Sequence, residues 1–425
     1  MKKNNYLILF LVVLISFTIQ AQEINSPYSR FGLGYLDGEN VNAGLVGMGG
    51  IAIGISDPTM INPANPASYA VFDSTSFIFE IGVHGNITKL KTDLQSENSS
   101  YFALTYLMFG FPVTKWWKSS LGMLPYSQIG YNVKIDIPVE GFSNVVNLIE
   151  GDGGLNQFFW GNAFKIGDNL RVGVDAMYLF GQGSRSSKVY FPDSLYIFGT
   201  KSTKYTRGGD FIFDYGLQYD IHLNDTRKLT IGAIYSNNWN LKAKREYLAN
   251  TFTGGYDDVV ETLQDTIAYI PEEKGIITIP QRFGAGFSLE EKGRWLVGAD
   301  FEWQNWENFS SFGTSDSLDN AWRVSVGGQY SPKHTSISSL AKRMYYRLGF
   351  KYANSYLSIY DTPINEYGIS FGLTIPLKKS RTAIDIGFEY GKRGTTDNNL
   401  IQENFLNFSV GFSIHENWFH KRKYQ

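Results

Sequence analysis

The chain has 425 residues, with 38 lysines and arginines against 40 acidic residues, a formal net charge of -2 and no cysteine. Balanced, interspersed charge leaves no footprint for nucleic acid, and a chain without cysteine carries no disulfide, no lipoprotein acylation site and no cysteine-ligated metal. A mean hydropathy of -0.20 reads as soluble, but 16% aromatic residues with 44 glycines, 27 tyrosines and 9 tryptophans suit a membrane sheet with aromatic girdles, whose alternating strands average out in hydropathy.

Residues 1–21 open with Lys2 and Lys3, continue through an apolar core over 6–19 and end at Ala21, the layout of a secretory signal peptide, so the mature chain is expected to start near Gln22. No later run reaches the 18 apolar residues of a membrane-crossing helix. Residues 22–74 form an N-terminal segment whose centre, 45–69, is apolar but broken. Two triplets, Asn62-Pro63-Ala64 and Asn65-Pro66-Ala67, cannot continue a sheet, because each proline removes a ladder donor and pushes its predecessor into extended backbone. Gly44, Gly47, Gly49, Gly50 and Gly54 let backbone pack where no side chain would fit. Too apolar for a solvated loop and too interrupted for a strand, this stretch is expected to sit inside something.

The run Gly47-Met48-Gly49-Gly50, the short path to Asp57 and the Asn-Pro-Ala triplets ahead of the first strand resemble the N-terminal hatch of FadL/TodX-type outer-membrane proteins. Residues 26–34, SPYSRFGLG, look like the variant of that family found in Bacteroidota. The resemblance implies an all-β fold: a fourteen-stranded antiparallel transmembrane β-barrel with a short hatch in its lumen, surrounded by the outer-membrane lipid of a Gram-negative bacterium.

Period-two patterns place fourteen strands at 76–86, 101–112, 119–137, 155–166, 170–182, 210–221, 229–241, 276–289, 295–304, 321–330, 345–354, 365–376, 382–391 and 404–414. The barrel then covers 75–415, and 416–425 form a periplasmic tail. Long connections alternate with short ones, as extracellular loops and periplasmic turns do, and the longest, 183–209 and 242–275, read as loops. A lysine or arginine on the lipid face near the midplane costs about 2–4 kcal/mol, so Lys134, Arg171, Arg323, Arg347 and Lys351 are expected in the lumen or near an interface. Val172, Val174, Tyr178, Val297 and Phe301 then face lipid.

Pro125 lies inside the strand 119–137, where it forces a bulge and a lost ladder bond. The resemblance implies that Gly122, Pro125 and Tyr126 form an inward kink that opens a lateral window for apolar cargo; on the residues alone, Pro125 equally ends a strand segment near a rim. The strand 101–112 is apolar on both faces, and Leu107, Phe109 and Phe111 are the candidate lumen lining, packed against the hatch or against a ligand. Asp175, Asp214, Asp300 and Asp385 are expected to face inward with Arg171 and Arg347 as partners, in a polar lumen network.

The residues give no catalytic constellation. Of the five histidines only His84 falls in a strand facing the lumen, His415-Glu416 lacks the second histidine of a zinc-protease helix, and residues 44–50 lack the Lys-Ser/Thr of a phosphate loop. Neither enzyme activity, cofactor nor metal is expected. The leading expectation is passive uptake of small hydrophobic, fatty-acid-like molecules through the plugged lumen with lateral exit. The alternative is a non-transporting barrel that serves as a subunit of an outer-membrane secretion or assembly complex, with the two long connections as contact surface for a protein partner.

Overall fold

Alternation of large apolar with small or polar residues is realised as a closed sheet. A computed structural model describes residues 25–36, 42–140, 145–192, 197–254, 261–336, 338–377 and 381–417; the expected signal peptide and residues 418–425 of the expected tail lie outside the described residues. The sheet contains β1 (Tyr35–Leu36), β2 (Ser76–Lys91), β3 (Ser96–Pro112), β4 (Trp117–Ile137), β5 (Val145–Ile166), β6 (Leu170–Tyr190), β7 (Gly199–His222), β8 (Arg227–Ser236), β9 (Trp239–Thr253), β10 (Thr262–Ile279), β11 (Arg282–Glu291), β12 (Trp295–Gln304), β13 (Ser310–Ser311), β14 (Ala321–Tyr330), β15 (Tyr345–Ile359), β16 (Thr362–Pro376), β17 (Ala383–Arg393) and β18 (Gln402–Asn417). β8 runs on into β9, and β10 into β11, as one wall crossing each. Fourteen antiparallel crossings result, and β18 closes on β2 in the register Asn407↔Asn86. Such closure leaves no strand end-to-end without a neighbour in lipid, which is why sheets cross membranes only as barrels.

The outer face carries an apolar band. Leu217, Ile231, Phe287, Val297, Leu348, Phe371 and Phe388 are all exposed there, and no helix among the described residues is long and apolar enough to cross a membrane. Arg171, Arg323, Arg347 and Lys351 point inward, while Lys134 is exposed beyond the band. The turn 331–344 that joins β14 to β15 holds one helical turn, Leu340–Arg343.

In their described residues, the segments 183–209 and 242–275 are not the loops that their length suggested. β6 continues to Tyr190 and pairs with β7 as far as Val189↔Thr200, while β9 and β10 pair over Thr253↔Thr262 to Trp239↔Ile279. Charged and polar side chains predominate there around one small buried cluster of Val146, Tyr190 and Phe252, so regular alternation ends although the backbone ladder does not. Ion pairs lace this projection, including Arg245 with Glu273 at 2.6 Å and Lys244 with Glu272 at 2.8 Å. Where barrel becomes projection, the backbone of Gly154 (φ +145°) and Gly181 (φ +157°) passes so close to its neighbours that a Cβ on either would lie 2.2 Å from a carbonyl oxygen.

Candidate functional site

From Asn42 to Phe72 the chain runs through the lumen. Asn42 caps the helical turn Ala43–Val46 by accepting from the N–H groups of Gly44 (3.0 Å) and Leu45 (3.2 Å), and Asn65 caps the 3-10 turn Pro66–Val71 by accepting from Ala67 N (3.1 Å). Asn62 donates to the carbonyls of Ala52 (2.7 Å) and Ile55 (3.3 Å) and accepts from Ala64 N (3.2 Å), so the two asparagines of the triplets tie the segment to itself. Pro63 and Ala64 face the cavity above, and Pro66 and Ala67 are buried against β6 and β7. Leu45, Ile51, Ile53 and Ile61 are fully buried, each contributing about 1.5–3 kcal/mol to the seating of the segment.

The wall is shaped to this segment. Inward-facing glycines form a belt, and a Cβ on Gly173, Gly216, Gly232, Gly327 or Gly349 would come within 2.4 Å of Pro66, Asn65, Ile53, Met48 or Gly49. Side chains from the wall then satisfy the buried backbone, as a filled interior requires. Asp300 accepts from the N–H groups of Ala52 (2.5 Å) and Ile53 (2.8 Å). Gln218 donates to the carbonyls of Ile53 and Ile55, each at 3.0 Å, and Ser288 to Gly54 O at 2.7 Å. Glu80 accepts from Ile61 N at 3.1 Å and from the Asn42 side chain at 3.3 Å.

The carboxylates and arginines face inward as expected, with one change of partner. Arg347 meets Asp385 at 3.0 Å, but Arg171 meets Asp220 at 2.6 Å. Asp214 pairs with Arg282 at 2.6 Å, and Asp175 accepts from the Tyr69 hydroxyl at 3.1 Å. Leu107, Phe109 and Phe111 do not line the lumen. Phe109 packs against Phe77 and Phe79 on the outer face, and the inward positions are Tyr106 and Met108, with the Tyr106 hydroxyl accepting from Ala43 N at 3.1 Å. A bulge between Gly82 and Val83 shifts the register, so Leu104 and Leu107, though three apart, both lie on the lipid side.

Above the inner segment lies a cavity of about 250 Å³, lined by Tyr126, Phe159, Trp306 and Tyr356 together with charged groups. Those charges form chains: Arg282 and Arg323 converge on Glu302, and Lys351 and Arg393 on Glu366, with Lys351–Glu366 at 3.0 Å and Arg393–Glu366 at 2.6 Å. Residues 26–36 close the top as a lid. Ser26 donates to Glu403 (2.6 Å), Tyr28 to the Ile401 carbonyl, Tyr356 to Gly34 O (2.7 Å), Arg185 to Gly32 O (2.9 Å) and Arg393 to the Tyr35 hydroxyl (2.7 Å). Four wall strands, β6, β15, β17 and β18, therefore hold one short segment. Below the inner segment, toward the short turns, a vestibule of about 1450 Å³ opens, lined by Asp57, Arg227, Lys228, Arg294 and His415 among others.

The wall is interrupted at the predicted kink. β3 pairs with β4 only from Leu107↔Met123 to Pro112↔Lys118, although β3 stays paired to β2 up to Lys91↔Ser96 and β4 to β5 up to Ile137↔Val145. The break begins where Pro125 withholds a donor and a register shift sets Tyr126 aside between Pro125 and Ser127. Gly122 is on the closed side of it, paired with Met108, and a Cβ there would meet Leu107 O at 2.7 Å. Tyr126 lines the cavity. The vacated β4 edge is taken by the lid: Tyr35↔Gln128 and Leu36↔Ser127 pair antiparallel, Ser26 N donates to Gly130 O (2.8 Å), and the Ser29 hydroxyl donates to Gly130 O (3.0 Å) and accepts from Gly130 N (3.1 Å). Sequence reasoning missed the lid, whose only signal was a Gly- and aromatic-rich run.

Solved structures share this fold. The Pseudomonas putida toluene transporter TodX is 15% identical over 92% of this chain and 100% of its own, with a TM-score of 0.58. A Pseudomonas aeruginosa FadL homologue is 14% identical over 89% and 98%, with a TM-score of 0.59, and the Ralstonia pickettii toluene transporter TbuX 15% identical over 90% and 100%, with a TM-score of 0.56. No curated protein sequence matches the chain. The model of one protein family, described as BamG, matches residues 1–425.

Proposed function

The chain belongs to the BamG family, and on that premise we propose that it acts as a closed barrel in the outer membrane, a subunit that binds another outer-membrane protein rather than a conduit. The observation that carries this reading is the filled lumen. The wall meets the inner segment through bare glycine backbone, the lid is bonded to five strands, and the small cavity between them holds the ion pairs of Glu302 and Glu366 beside its aromatic and aliphatic lining. An apolar molecule entering that cavity would desolvate ion pairs without replacing their water. Purification from native membranes tests it: a second outer-membrane protein in stoichiometric amount is the expected result, with no conductance steps in a planar bilayer. A lone barrel carrying extractable hydrocarbon or fatty acid would overturn it.

A second reading, uptake of small hydrophobic molecules with lateral exit, is favoured by the break between β3 and β4 and by the fold shared with proteins titled as toluene transporters. Pro125→Val restores a backbone donor and a β-branched residue to the strand. If the break is an exit, this change lowers cellular uptake of an apolar tracer while the barrel stays folded; uptake that is absent in the unaltered protein removes the reading.

A further inference from the structure

We propose that the opening between β3 and β4 is a docking site for an extended strand of a partner outer-membrane protein, and that β1 holds the place of that strand. The inference rests on the subunit reading above and names the contact it needs. Its ground is the seating of β1. β1 runs antiparallel to β4, the direction that β3 itself has, so at the level of Gln128 it occupies the ladder position that β3 gives up. The edge of β4 is therefore competent to pair with an added strand, because a short one already sits there.

The placeholder is too short for its edge. Among the described residues, only Ser127, Gln128 and Gly130 are paired with or hydrogen-bonded by residues 26–36, β4 continues to Ile137 with no strand on that side, and no pairing joins residues 96–106 of β3 to β4 or to β1. At the start of the break the outer face is lipid-facing, with Leu104 58% and Met123 44% exposed. Backbone at that depth needs a partner, since lipid offers no hydrogen bonds. Higher up, Ser96, Asn98, Ser99, Asn132, Lys134 and Asp136 are polar, and that part of the edge stands in water. A matching occupant is an extended segment that is apolar on alternate residues at lipid depth and polar beyond, as an outer-membrane strand is, added by backbone pairing. Lid contacts oppose it: Tyr35 must leave Arg393, and Gly34 must leave Tyr356.

Because the chain has no cysteine, Tyr35→Cys with Gln128→Cys introduces a single thiol pair at directly paired positions, within reach of a disulfide. Leu36→Cys with Ser127→Cys is a second lock from the same register. The probe is a fluorescein-labelled peptide with the sequence of residues 404–417 of this chain, compared with a permuted peptide that lacks alternation. Full-length variants in detergent, checked for the faster gel mobility of unheated barrels, are titrated by fluorescence anisotropy with and without reductant. The expected result is binding of the alternating peptide to the reduced forms, weakened at least about tenfold on oxidation, with the unaltered protein indifferent to oxidant. Equal binding in both redox states, no preference over the permuted peptide, or no binding at all overturns the strand site. The membrane purification separates this from the broader reading: a partner that co-purifies with the oxidised form leaves the subunit reading standing without this site, and peptide binding without any co-purifying partner leaves the site standing without that reading.

Discussion

Substitution of the glycine belt tests whether wall and inner segment are one packed unit. In Gly349→Ala the new Cβ would lie 2.1 Å from Gly49 N, and in Gly327→Ala 2.1 Å from Met48 O, in both cases against backbone that has no rotamer to change. Ordinary contact begins near 3.4 Å, so the inner segment has to withdraw by about 1.3 Å at each site. Overpacking of this kind costs about 1–3 kcal/mol per site. The two glycines face the same stretch of the segment, so the double variant is expected to lose about 2–5 kcal/mol of the free energy that seats it, while the outer ladder of β14 and β15 is untouched. Hydrogen–deuterium exchange reads this directly: peptides covering 43–56 should exchange faster by orders of magnitude, and the unheated barrel should keep its gel mobility. Gly183→Ala, which would press only on the tip of the Ile129 side chain, is the control and should change neither. Unchanged protection of 43–56 in a correctly folded double variant would refute the claim that the belt sets the fit.

Asp300→Ala removes the acceptor shared by Ala52 N and Ile53 N and leaves two buried donors, at about 1–3 kcal/mol each, so the same peptides should exchange faster in that variant too. Asn62→Ala with Asn65→Ala takes the side-chain donor from the Ala52 carbonyl and leaves those of Ile53 and Ile55 with Gln218 alone; the barrel should stay folded and the inner segment loosen, seen as new conductance steps in a planar bilayer. In the projection, burial alone would raise the Glu261 carboxyl, but hydrogen bonds from Lys188 and Lys201 outweigh it and hold the carboxyl below its ordinary value. Its contribution is therefore present above the ordinary carboxylate pKa of about 4.3 and lost as pH falls through the lower folded value, so exchange of residues 188–201 should rise at low pH in the unaltered protein and much less in Glu261→Gln.

Strand positions and the buried character of residues 45–69 were legible because both follow from side-chain chemistry local to the chain. Facing was legible where one face carried a charge, as at Arg171, Asp175 and Asp300. It was not on β3, where both faces are apolar and the decision falls to distant partners: Phe77 and Phe79 outside, Ala43 inside. The bulge opposite Gly82 and Val83 also breaks the strict period on which such facing rests. The projection escaped notice because it is held by backbone pairing, ion pairs and one small apolar cluster rather than by regular alternation. The lid could not be read at all, since each of its bonds to the wall joins residues far apart in the chain, from Ser26 with Glu403 to Gly34 with Tyr356. The glycines of the belt, Gly216 and Gly232 among them, went unread because nothing in their spacing says that they meet another part of the chain.

Glycine is a poor strand former, and a belt of it around the waist of the barrel leaves the bare wall weak where the inner segment should brace it. The segment precedes every wall strand in the chain and touches the last of them, through Ala43 beside Gly411, and Glu80, which holds Ile61, also accepts from Ser413. Full bracing thus exists only once β18 has joined β2. The barrel is then built as a cask on a mandrel, its hoop tightening around a former that was laid down first and stays inside the finished vessel, and a wall that closed without it would be recognisable by its softness at the waist.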